Sequence, residues 1–99
     1  MSKPKIYKYK LTDIITEIEL PHSHRILSAH EQDGDIYVWA LVDSESDSKV
    51  KVTFFTIGTG HDIAEKIPGN IWREYGFIDT VHMPRTGFVF HVFKKHHVS

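Results

Sequence analysis

The 99 residues carry 12 Lys and Arg against 13 Asp and Glu, a net charge of −1. A chain of this size makes one domain that buries only about 60–65% of its unfolded surface, and its balanced charge gives no footprint for DNA, RNA or an anionic membrane. With no cysteine it has neither disulfides nor thiolate metal sites, and no apolar run approaches the roughly 18 residues of a membrane span.

Lys5 to Lys10 and Thr16 to Leu20 alternate polar and apolar residues at period two, which predicts two half-buried strands. Pro21 interrupts, and Arg25 to Gln32 resumes an extended pattern before Asp33-Gly34, a tight-hairpin signal. Ile36 to Val42 is the strongest strand. Ile36, Val38, Ala40 and Val42 share one face, with Tyr37, Trp39 and Leu41 on the other, so the strand is expected to be central with Trp39 in the core.

Asp43 to Ser48 is acidic and serine-rich, a solvated hairpin loop. Lys49 to Ile57 is a strand that runs into Gly58-Thr59-Gly60-His61, after which Asp62 to Ile67 begins a short helix. Pro68-Gly69-Asn70 breaks the chain again, and Ile71 to Tyr75 fits a helical turn or a loop. Gly76 to Met83 and Phe88 to Phe93 are the last strands, joined by a turn at Pro84 to Gly87, and 94–99 reads as a polar tail. Seven short strands with little helix predict a single domain over 1–99. Its fold is mainly β, or α+β: a small antiparallel sheet, sandwich or half-barrel, with one short helical segment after the glycine loop.

The segments Lys5 to Tyr9, Ile26 to Ser28, Val38 to Asp43, Phe55 to His61, Phe77 to Thr80 and Gly87 to Phe93 together resemble a family of small tailed-bacteriophage proteins without a known function. The Gly-Thr-Gly-His loop and the closing Phe-His-Val-Phe strand carry the resemblance most sharply. The chain departs from the family in a longer segment around Ile67 to Tyr75. The resemblance implies a setting, the cytoplasm of an infected bacterium, and no activity.

Two readings fit Gly58, Thr59, Gly60 and His61. The loop amides, with Thr59 and His61 as further donors, can cradle a phosphate at the helix start; or the loop is a tight strand-to-helix turn capped by Asp62 or Thr59. His91 is a cross-strand residue, or it meets His61 as a polar floor if the last strand pairs with the strand entering the loop. Trp72, Arg73 and Tyr75 lie outside any clear strand, so an aromatic and an arginine there can close over a ligand, or Trp72 packs inward on a surface helix.

His22-Ser-His24 and His96-His97 lack an identifiable third ligand, so no metal or other cofactor is expected. No elbow serine or orienting acid is present for nucleophilic catalysis. The expectation is a non-enzymatic binding protein, a homodimer or higher homo-oligomer, for a phosphate-bearing nucleotide signal, through Gly58, Thr59, Gly60, His61, Trp72, Arg73, Tyr75 and His91. Protein-protein interaction is the alternative, and a metal-free hydrolase using His61 and His91 the second. DNA, RNA and membrane are not expected partners.

Overall fold

A computed structural model describes residues 2–96 as seven strands and two one-turn helices. The strands are β1 (Pro4–Leu11), β2 (Ile15–Pro21), β3 (His24–Gln32), β4 (Asp35–Asp43), β5 (Lys49–Gly58), β6 (Tyr75–His82) and β7 (Val89–Lys95). The helices α1 (Ile63–Lys66) and α2 (Ile71–Glu74) interrupt the chain between β5 and β6. Where one helical segment was expected there are two. Among the described residues no helix is long and apolar enough to cross a membrane.

All pairing is antiparallel, in a three-stranded sheet of order β1-β4-β3 and a four-stranded sheet of order β2-β5-β7-β6. Asp33 and Gly34, with φ of 54° and 88°, form the two-residue turn between β3 and β4; two consecutive positive φ values match the twist of the flanking strands. Pro21 ends β2, which is an edge strand, so its missing N–H costs no central ladder bond.

The sheets face each other across one core. Leu11, Ala29, Ile36 and Val38 from the first sheet meet Leu20, Val52, Phe54, Val81 and Val92 from the second. The expected alternation of β4 decides which face turns inward: Ile36, Val38, Ala40 and Val42 are buried. Its other face is not core. Tyr37 and Trp39 lie half-buried on the outside of the first sheet, where Trp39 meets the edges of Tyr37 and His30, and Lys8 covers Tyr37 at 4.8 Å. Among the described residues no further element packs on that second apolar face, and the aromatic rings shield one another instead.

The second sheet carries a layer on its outer face as well. Phe55, Ile57 and Tyr75 form a smaller core with Ile67, flanked by Ile63, Ile71 and Phe93. Phe55 is fully buried because the excursion through α1 and α2 folds back over it. At the end of the chain β7 continues through Lys94 and Lys95, so the polar tail expected from 94 starts later; residues 97–99 lie outside the described residues.

Candidate functional site

Each helix of the excursion is a single turn, too short to hold by propensity alone, and each is fixed by its cap and its apolar anchor. The Asp62 carboxylate accepts from the Ala64 amide at 3.0 Å, and the Asn70 side chain accepts from the Trp72 amide at 2.9 Å. Glu74 reaches back to the Asn70 amide, so the second cap is reciprocal. Ile67, at 5% exposed, and Tyr75, whose hydroxyl donates to the Pro68 carbonyl at 3.4 Å, pin the segment to the sheet.

Between β5 and α1 two amides of the glycine loop have backbone partners. The Thr59 amide donates to the Val89 carbonyl at 3.1 Å, and the His61 amide to the Gly58 carbonyl at 3.2 Å. Gly60 sits at φ 86°. The Asp62 carboxylate at the start of α1 places negative charge where an anion was expected to bind, and four residues of helix contribute little field. The loop is therefore built as a capped turn. The Thr59 and His61 amides are committed to those carbonyls rather than free for a phosphate.

His91 is beside the loop, as the register requires: β7 pairs with β5, and His91 lies opposite Ile57. Thr59 Oγ1 is 2.7 Å from His91 Nε2, and Thr80 Oγ1 is 3.1 Å from Nδ1. Two proton assignments satisfy the array: Thr59 donates to the Val89 carbonyl at 3.4 Å and accepts from Nε2–H while Nδ1 accepts from Thr80, or Thr59 donates to Nε2 while Nδ1–H donates to Thr80. His91 is thus held at both nitrogens by hydroxyls. The ring of His61 lies over Gly58, where an added Cβ would stand 3.1 Å from its Cε1.

His61 forms a ridge between two depressions. One, of about 390 Å³, runs past Thr59 to Phe88 and Phe90, and the other, of about 560 Å³, runs past Ile63 and Asn70 to Trp72. Phe88 is 62% and Trp72 92% exposed. Trp72 does not pack inward; the opposite side of α2 makes the contact, through Ile71. Arg73 is exposed beside it, and Tyr75 is 8% exposed with its ring against Phe55, so it has no free face for stacking. Of the eight expected residues, Gly58, Thr59, Gly60, His61 and His91 form one cluster, Trp72 and Arg73 stand beyond the second depression, and Tyr75 belongs to the core.

A second constellation lies toward the far end of β5, about 15–25 Å along the strand from Gly58. There a notch of about 450 Å³ is lined by His22, His24, Val50 to Thr53, and Lys94 to His96. Three lysines and three imidazoles face it, although among the described residues no three His, Asp or Glu side chains converge to hold a metal ion. The sequence contained the signal. Phe90, Val92 and Lys94 continue one period-two face, but Lys94 reads as the start of a tail.

The fold and these two constellations define a small two-layer antiparallel β domain with a loop-borne surface at one end and a cationic notch at the other. The family model for DUF7352, a domain of unknown function, matches residues 2–99, and the chain belongs to that family. No curated protein and no solved structure matches it.

Proposed function

We propose that the protein is a non-catalytic binding module that engages a protein partner through the loop end of its second sheet, with Trp72 as the anchor. One observation carries the reading: Trp72 is 92% exposed, yet it is presented by a turn that two caps and a dedicated small core hold in place. An indole in water beside an exposed arginine is the residue pair most enriched among interface hot spots, and the ridge at His61 with Phe88 beyond it extends the same surface. A phage-infected bacterial cytoplasm is the setting this proposal takes, on the resemblance alone.

The test is capture of a partner on immobilised chain, with Trp72→Ala beside wild type. Loss of capture at an unchanged melting temperature supports the reading; equal capture by both refutes it. A homodimer would use the same surface, and sedimentation separates the two cases. If the partner is a second copy, wild type dimerises with rising concentration and Trp72→Ala does not; if it is a foreign protein, both sediment as monomers.

A hydrolase reading has its own observation, since in the tautomer with the proton on Nδ1 Thr59, His91 and Thr80 stand in the order nucleophile, base and orienting group. The orienting group is neutral, however, and gives a forming imidazolium no compensating charge. Turnover of an ester or phosphoester that Thr59→Val abolishes would establish catalysis and overturn the non-catalytic proposal.

A further inference from the structure

β7 pairs with β5 only between Phe54–Lys94 and Gly58–Phe90, so residues 49–53 of β5 have β2 on one side and, among the described residues, no strand on the other. That missing neighbour is the notch. The end of β7 and the corner between β2 and β3 enclose it.

Lys94 is its floor. In the strand registers it lies opposite Phe54 and Gly76, and it shares the inner face with Val92, which is fully buried in the main core. Its stem therefore enters the space between the sheets, and its ammonium ends 3.4 Å from His24 Nε2. His24 Nδ1 is 2.9 Å from the Pro21 carbonyl, which can only accept, so Nδ1 carries the proton and Nε2 offers Lys94 a lone pair. Among the described residues this one neutral acceptor is the half-buried ammonium's hydrogen-bond partner. Burial pushes its pKa below the usual lysine value, the mark of a cation short of compensating charge.

Gly76 adds to the arrangement, because the His96 imidazole lies close over it: a Cβ there would stand 3.0 Å from Cε1 and the ring would have to shift. The ion pairs among the described residues are Lys3–Glu45 and Lys10–Asp35, neither in the notch. Glu17 and Glu19 on β2 lie opposite Thr53 and Lys51 in register, but among the described residues no carboxylate lines the notch.

We propose that this notch binds a compact phosphate-bearing small molecule, with Lys94 beneath the phosphate and Lys51, Lys95, His22 and His96 around its rim. Phosphate suits the donors better than carboxylate does, since it brings close to two charges and at least three acceptor oxygens to one centre. The volume is that of a small-molecule site, and Val50 and Val52 give it apolar walls. This site is independent of the loop-end surface, and either can fail without the other.

The test is calorimetric titration with pyrophosphate at neutral pH and about 0.1 M salt, where exposed charges beyond ~10 Å are screened. Wild type binds, and Lys94→Met weakens binding about tenfold or more, the loss expected for one charge-assisted hydrogen bond. Lys95→Met, at an exposed position, weakens it less and provides a reading should Lys94→Met fold poorly. Lys10→Met, which removes the same charge from the other sheet, leaves binding unchanged. A nucleoside diphosphate as titrant identifies the source of the phosphate: affinity equal to pyrophosphate assigns the site to the phosphates alone, and tighter binding assigns it to a phosphate ester. The proposal is overturned if pyrophosphate does not bind, if Lys94→Met and Lys95→Met bind as wild type does, or if sulfate at equal ionic strength displaces it completely. Trp72→Ala should titrate as wild type.

Discussion

Replacing Trp72 by alanine separates a surface built for contact from one that holds the fold. A tryptophan presents on the order of 250 Å². At 92% exposed, the fold covers about 20 Å² of it, which at ~25 cal/mol per Å² is about 0.5 kcal/mol. Alanine's better helix propensity returns a few tenths of that, on the order of 0.3 kcal/mol. The melting temperature should therefore move by no more than about 2–4 °C in a domain of this size. Binding should respond on another scale, because truncation of a central anchor costs about 2 kcal/mol or more, roughly 30-fold in Kd. A thermal melt beside quantified partner capture reads both. A fall in melting temperature of about 10 °C or more would mean that Trp72 supports the fold, and unchanged capture would mean that it is not the anchor.

Thr56 Oγ1 is buried without a hydrogen-bond partner among the described residues, so Thr56→Val should stabilise the domain by about 1 kcal/mol, read as a raised denaturation midpoint. Asn70→Ala removes the cap of α2; it should cost about 1 kcal/mol locally and raise hydrogen exchange at the Trp72 to Glu74 amides, while the amides of β4 and β5 stay protected. Lys94 has a pKa below the unfolded lysine value of about 10.4, so the unfolded chain holds the extra proton between the two values and stability should rise with pH across that window. Lys94→Met should flatten that rise in melts at stepped alkaline pH; an unchanged slope would mean that Lys94 is not the group responsible.

The strands were legible because period two is written plainly into them, and the face of β4 that carries Val38 and Ala40 was read correctly as buried. The same rule misplaced Trp39: alternation reports which residues share a face, not whether a second layer exists to cover it. Tyr75 was unreadable for a related reason. Its burial depends on a fold-back through Ile67 and Ile71 that no local pattern encodes. In the loop the sequence raised the pairing of β5 with the last strand, which puts His91 beside Thr59 where His61 was expected, but it could not say that the Thr59 and His61 amides would already have partners. The notch was hidden because its lysines and histidines come from three separated stretches, joined only by the turn after β2 and the early end of the β5–β7 ladder.

The central claim is that the two ends of the second sheet have different work, contact at the glycine loop and anion binding at the notch. Backbone amide shifts recorded during a pyrophosphate titration test it most directly. The account predicts that the amides of His22, His24, Lys51, Thr53 and Lys94 to His96 move while those of Thr59 to Ile63 stay in place. Saturable shifts confined to Thr59 to Ile63 would contradict it and return the anion to the glycine loop.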